Sequence, residues 1–193
     1  LNSLQKLSSG MKLLTGVMLI IIGAMIPSAI ILPQRDLSLS VVPLQSTWQI
    51  HGLLLSSILF GPQIGLICAI TYIFIGLFYL PIFHGGGSVG YILTPDFGFL
   101  LGFIPAAFTC GFLSKSRPRV CLLDITVYTV ISLLILHIIG IIYLAIGKLT
   151  GLWSESLFDL ILINSISPFP SQLLLCLAIS HFSLYIKKLL IIK

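Results

Sequence analysis

Apolar residues run almost unbroken through long stretches of this chain, and polar residues gather between them. Runs of ~20 apolar residues match a helix that crosses ~30 Å of hydrocarbon at 1.5 Å per residue. The first run, about 13–32, ends at Pro33 and the polar Gln34-Arg35-Asp36. The stretch 45–80 is too long for one crossing, and Gly61-Pro62 breaks it into helices at about 45–60 and 63–80. A fourth helix is expected at about 98–113, stopped by the polar run "SKSRPR". A fifth is expected at about 124–146, with Asp124 placed as its N-cap. The sixth is expected at about 168–192, opened by Pro168, which suits a first helical turn. Between the last two, "LFDLILI" (157–163) is too short to span and reads as a half-helix at the interface or tucked toward the bundle. The pattern predicts an all-α integral membrane protein with six transmembrane helices, forming a single domain over 1–193.

Composition and charge agree. Of the 193 residues, 58% are hydrophobic and only 8% are charged, against roughly 25% charged in a soluble domain. Six spans put both termini on one side. Eight cations lie there: Lys6, Lys12, Lys115, Arg117, Arg119, Lys187, Lys188 and Lys193. The other side holds only Arg35 and Lys148. By the positive-inside rule the N and C termini are cytoplasmic. The net charge of +5 therefore bears on topology and not on nucleic-acid binding. No small-residue cleavage site marks a cleavable signal peptide.

Polar residues on the apolar helices fall on faces. Gln45, Gln49, Gly52 and Ser56 share about 60° of arc on the second helix, at 100° per residue. Thr126, Thr129, His137, Gly140 and Gly147 share about 80° on the fifth, and Gln172, Cys176, Ser180 and Ser183 about 80° on the sixth. Such stripes face the bundle interior, because polar groups are costly in lipid. Most are accounted for as close helix packing. Gln49 and Gln172 ask for more, since a primary amide brings both donors and acceptors into a dry bundle. Both lie near the outer ends of their helices, level with the run Gly85-Gly86-Gly87 between the third and fourth helices. A pocket opening outward under that loop would use all three features. His137 and His181 read as packed interior residues, His51 lies near the outer end of the second helix, and His84 opens the glycine loop. The four cysteines, Cys68, Cys110, Cys121 and Cys176, form no CxxC pair and read as small packing residues.

Several chemistries lack their motifs. There is no GxxxxGK[ST], GxSxG or HExxH in the chain. "GGGSVG" has no lysine and follows no soluble strand, so it does not read as a phosphate cradle. No carboxylate suited to a driving ion lies near the midplane. An intramembrane enzyme built on Ser56 with His51 or His137 would lack an adjacent acid and an oxyanion hole. A non-transporting scaffold is the remaining alternative class. The chain reads as a binder without its own energy source: no enzyme, no cofactor and no metal.

Three stretches carry a family resemblance. "FHGGGSVGYILTPDFGFLLGFIPAA" (83–107) is similar to the signature region of the BioY family, the biotin-binding S components of energy-coupling factor vitamin transporters. "VPLQSTWQIHGLLLSSILFGPQIG" (42–65) resembles the family's Pro-rich opening, Thr-x-Gln and Gly-Pro, and "ISPFPSQLLL" (166–175) resembles the opening of its last helix. The resemblance implies a binding subunit in the plasma membrane, with biotin as transported ligand. Its implied partners are a transmembrane coupling subunit and two ATP-binding subunits, with lipid around it. A different small vitamin is the alternative ligand. The implied site is Gln49, Gln172 and the backbone of Gly85, Gly86, Gly87 and Ser88 for the ureido ring, with Trp48, Tyr91 and Phe169 as apolar walls. A small-residue face on the first helix, Ala24 and Ser28, is implied as the docking site for the coupling subunit. There are departures from the family pattern. Two glycines of the turn are replaced in Thr94-Pro95-Asp96-Phe97-Gly98, and Gly86 stands where some members have a ligand-binding Asn. The family's Asp and Lys on the last helix match Gln172 and Leu175, which predicts weaker biotin binding than in members that keep them.

Overall fold

The computed structural model describes residues 2–33, 39–116 and 121–189. Its element order is α1 (Asn2–Met25), β1 (Pro27–Pro33), β2 (Leu39–Thr47), α2 (Gln49–Phe60), α3 (Pro62–Phe78), a 3₁₀ turn (Val89–Leu93), α4 (Phe97–Lys115), α5 (Leu122–Leu149), α6 (Leu157–Ile161), a π-helical turn (Leu162–Ile166) and α7 (Phe169–Leu189). Six long helices, α1 to α5 and α7, make the bundle, as the hydropathy pattern predicts. Four helical segments are long and apolar enough to cross a membrane by themselves: 7–25, 97–115, 122–149 and 157–189. The apolar helices α2 and α3 are shorter, at 12 and 17 residues.

The first two spans differ from the sequence expectation. The run expected as helix to residue 32 stops at Met25, because Pro27 follows and the residues before a proline leave the helical region. The chain then forms a two-stranded antiparallel ribbon, with Ala29 opposite Pro43, Ile30 opposite Val42 and Ile31 opposite Val41. The β-branched pairs suit a pleated strand. The second helix consequently starts at Gln49 instead of 45, and the ribbon takes the outer end of what would have been two long crossings. Paired strands satisfy each other's backbone groups, which permits non-helical chain at the edge of the apolar layer.

Contacts between neighbouring helices show the alternation of direction. Cys68 of α3 reaches the Leu13 carbonyl of α1, and Lys115 at the end of α4 donates to the Phe60 carbonyl at the end of α2 (3.4 Å). Thr129 of α5 lies 3.5 Å from Ser180 of α7. The pair α4–α5 has the most extensive contact, and Gly102 contributes a close approach: a Cβ there would stand 2.9 Å from the Leu136 carbonyl oxygen. The core at this level joins Ile20, Leu53, Tyr72, Phe103 and Leu136, all at most 2% exposed. The polar stripes point inward as expected: Gln49, Ser56, Thr129, His137, Gln172, Ser180 and Ser183 are buried. Cys68, Cys110 and Cys176 are buried packing residues, and Cys121 is exposed.

Three local expectations are corrected. His181 is exposed on α7 and is not a packed interior residue. Asp124 is not the N-cap of α5. Cys121 is, and Asp124 sits three residues on and returns the contact: its carboxylate accepts from the Cys121 N–H (3.0 Å), while the Cys121 sulfur accepts from the Asp124 N–H. The half-helix at 157–163 is a five-residue helix, α6, that runs through the π turn almost directly into α7. The sequence-based range to residue 192, and the charges Arg35, Asp36, Arg117, Arg119 and Lys193, extend outside the described residues.

Candidate functional site: a cavity at one end of the bundle

The C-terminal ends of α1, α3 and α5 and the N-terminal ends of α2, α4 and α7 lie at one end of the bundle. A cavity of about 440 Å³ opens there. Its roof comes from the ribbon, through Pro27, Leu44, Gln45, Ser46 and Thr47. His84, Tyr91 and Asp96 form one side, from the segment between α3 and α4. The floor is apolar, made of Phe99, Leu100 and Phe103 from α4 and Leu136 from α5. Gln49, Asn164 and Gln172 supply amide groups from three different elements. An apolar vessel with a few convergent polar groups, in the range of ~300–1,000 Å³, is the usual form of a small-molecule site.

Each amide is held from behind. Gln49, buried, donates through Nε2 to the Tyr72 hydroxyl (2.9 Å), and that hydroxyl donates to the Ile82 carbonyl (2.8 Å). Gln172 is gripped twice. His51 Nε2 donates to its backbone carbonyl (3.0 Å), and His137 Nε2 donates to its side-chain oxygen (2.7 Å). His137 Nδ1 in turn accepts from the Ser165 hydroxyl in the π turn (2.7 Å). Asn164, on the same turn, donates through Nδ2 to the Leu160 carbonyl (2.8 Å). The Gln45 side-chain oxygen accepts from the Ser167 hydroxyl, which ties the roof to the start of α7. A second tie runs from Ser28 through Ser46 to Ser171.

The rim carries the site's ionisable groups. Packing around the Asp96 carboxyl raises its pKa above the ordinary carboxylate range, with nearby His84 pulling the other way. Asp96 remains open to solvent on one side. Burial pushes the Tyr91 phenol up, and the neighbouring Asp96 adds to it. The Tyr91 hydroxyl donates to the His84 carbonyl (3.0 Å), closing the rim loop on itself. Among the described residues no lysine or arginine lines the cavity.

Of the residues proposed from sequence, Gln49, Tyr91 and Gln172 line this cavity. Trp48 and Phe169 lie beside it. Trp48 packs edge-on to His51, and Phe169 lies edge-on to His137 with ring centroids 5.1 Å apart. Phe169 therefore backs the residue that holds Gln172. Gly85, Gly86, Gly87 and Ser88 lie outside the lining. Gly85 and Gly86 adopt φ of 95° and 132°, which the tight turn closed by the Phe83–Gly86 backbone pair requires. Gly87 fits against the end of α3, where a Cβ would stand 2.7 Å from the Gly76 carbonyl oxygen. The glycine run thus folds the rim loop and anchors Phe83 in the core (4% exposed), against Tyr72. Ala24 and Ser28 do not form the exposed helical face expected from sequence. Ser28 lies beyond the helix in β1 and bonds to Ser46, and both residues are buried. Nor does Ser56 meet a histidine base, since its hydroxyl donates to the Leu53 carbonyl (2.7 Å).

Sequence reasoning missed Gln45, Asp96 and Asn164 as lining residues, and His84 and Phe103 with them. The ribbon was read as helix, which hid Gln45. Asn164 lies in a segment set aside as too short to span. A π turn of this kind is often found at functional sites, but nothing in the local composition announces it.

A polar-ringed cavity under a loop and a ribbon lies at one end of a multi-pass helical bundle, and has the form of a small-molecule site. The fold is shared with a solved structure described as the S-component for biotin from an ECF-type ABC transporter, with a TM-score of 0.72 at 18% identity over 95% of this chain and 93% of that one. A family model for the BioY family matches residues 3–191, and the chain belongs to that family. It is 34% identical over 101 residues to a probable biotin transporter BioY of Lysinibacillus sphaericus, covering 52% of each chain. It is 28% identical over 111 residues to a probable biotin transporter BioY of Pyrococcus horikoshii, covering 57% of this chain and 64% of that one. A biotin transporter BioY of Thermotoga maritima is 32% identical over 100 residues, 50% of this chain and 58% of the relative. The chain thus spans between about half and two thirds of the length of these curated relatives.

Proposed function

We propose that this protein is the membrane-embedded binding subunit of a biotin uptake system in the cell membrane. It captures biotin from the outer side and depends on a coupling subunit and two ATP-binding subunits for the energy of transport. The observation that carries the reading is the cavity itself. It joins an apolar floor of Phe99, Leu100, Phe103 and Leu136 to the amides of Gln49, Asn164 and Gln172. Biotin has the matching division: an apolar thiophane ring and alkyl chain, and a flat ureido ring that needs donors and acceptors. Membership of the BioY family and the names of its relatives support the same ligand.

Gln49 and Gln172 serve the ureido group in this reading, and Tyr91 closes the side of the pocket. Trp48 and Phe169 act from behind His51 and His137. The run Gly85–Ser88 acts by shaping the rim loop that folds over the ligand, a gating role that such loops often have. The biotin carboxylate lies toward the rim, where it meets His84 and Asp96 without a fixed cation. A ligand group left without its charge-assisted contact loses on the order of 1.5–3 kcal/mol when that contact is shielded from water and less at an open rim, so affinity is lower than in members that keep the lysine. The second reading, a different small vitamin, draws on that same missing cation.

The test is uptake of labelled biotin by biotin-requiring cells that express the chain with a coupling subunit and ATPases. Uptake that depends on all the components supports the proposal. Uptake of another vitamin in preference to biotin supports the second reading. Uptake of neither removes the transport role.

A further inference from the structure

We infer that hydrogen-bond partners behind them set which end three of the four cavity amides, Gln49, Asn164 and Gln172, turn inward, so that these three offer two acceptors and one donor. This rests on the biotin reading above and adds the sense of each contact to it.

The argument is one of proton accounting. The Ile82 carbonyl can only accept, so the single proton of the Tyr72 hydroxyl goes to it (2.8 Å). The Tyr72 oxygen must then accept from the Gln49 amide, which places that NH₂ at Tyr72 (2.9 Å) and leaves Oε1 for the cavity. The Leu160 carbonyl fixes Asn164 in the same way, taking its NH₂ (2.8 Å) and leaving its oxygen. Gln172 has the opposite sense. Its oxygen stands 2.7 Å from His137 Nε2, which must then donate, so that His137 Nδ1 accepts from the Ser165 hydroxyl (2.7 Å). What remains for the cavity is the Gln172 NH₂. The Gln49 oxygen and the Gln172 nitrogen have no protein partner among the described residues, and neither is sealed off from the cavity.

Two acceptors and one donor complement the edge of a cyclic urea, which carries two N–H groups beside one carbonyl. Tyr72 and His137 are therefore positioning residues: they set ligand selectivity through the glutamines. The Gln172 contact uses the ligand's carbonyl oxygen, so exchanging that acceptor for a donor turns the contact repulsive.

The probe pair is biotin and 2-iminobiotin, whose ring carbonyl is replaced by a protonated imine that can only donate. Dissociation constants are measured on purified full-length protein by isothermal titration. The wild type is expected to prefer biotin by about tenfold or more, the size of one unmatched buried polar contact. Gln172→Glu, which offers only oxygens, is expected to reverse the order. His137→Phe keeps the ring but frees the Gln172 amide to turn, and the ratio is expected to fall to within about threefold. A monodisperse elution profile shows whether His137→Phe has folded; if it has not, Gln172→Glu decides alone. An unchanged ratio in Gln172→Glu overturns the inference while the biotin reading stands. So does a wild type that prefers the imine. A wild type that binds neither probe removes the biotin reading and this inference together.

Discussion

Asp96 is the one carboxylate among the described residues that line the cavity, and it faces a ligand proposed to be an anion. Its carboxyl is raised by burial, partly offset by His84. A raised carboxyl is neutral below its folded pKa and charged above it. Repulsion toward the biotin carboxylate is therefore present at high pH and is lost as the pH falls through that value. Two like charges about 8 Å apart repel by ~1–2 kcal/mol at an effective dielectric constant of ~20–40. Exposure of Asp96 at the rim holds the effect near the lower figure. Asp96→Asn is thus expected to tighten biotin binding about fivefold at pH 8, as ~1 kcal/mol implies. It should leave the uncharged methyl ester of biotin unchanged. The wild type should bind biotin more tightly as the pH falls through the folded pKa of Asp96, and Asp96→Asn should flatten that slope. His84→Asn, measured alongside, separates the imidazole's part. Titration calorimetry of acid and ester across this range reads all of these directly. If Asp96→Asn shifts acid and ester alike, or weakens both, the carboxylate is not facing the ligand's charge and the orientation proposed here is wrong.

Gly102→Val places a branched side chain where a Cβ already stands 2.9 Å from the Leu136 carbonyl oxygen. Overpacking of this kind costs about 1–3 kcal/mol, so a lower melting temperature and weaker ligand binding are expected together; an unchanged melting curve would show that α4 and α5 do not approach so closely. Ala24→Trp is expected to destabilise the isolated protein, since Ala24 is only 7% exposed; a normal melting curve with lost uptake would instead return this position to a docking role. A cysteine at the exposed Ser88 should label with an impermeant thiol reagent from outside and one at Ser116 should not; labelling of both from the same side would contradict six spans.

The bundle was legible because its signal is long and redundant. Twenty-residue apolar runs, the Gly61-Pro62 break and the asymmetry of lysines and arginines each point to the same spans. The inward stripes on α5 and α7 were also readable, because polar groups in lipid are too costly to scatter. The ribbon is hidden in the sequence because the apolar run is long enough to outweigh its local chemistry. Pro27, Pro33 and Pro43 lie within or beside the two strands, and the pairs Ile30-Ile31 and Val41-Val42 favour extended chain. That error carried Ser28 onto a helix it does not belong to and moved Gln45 away from the roof of the cavity. The site was legible only in its most conspicuous residues. Gln49 and Gln172 stood out as amides in apolar helices, whereas the partners that orient them lie 23 and 35 residues away in sequence, at Tyr72 and His137. No local pattern joins residues so far apart. Only the packing of α2 on α3 and of α5 on α7 brings them together.

The central claim is that the cavity holds biotin, and equilibrium binding to the purified, detergent-solubilised protein tests it most directly. The account predicts saturable binding of one biotin per chain, with weaker affinity in Gln172→Ala. Absence of binding at millimolar biotin, with another small vitamin binding in its place, would contradict it.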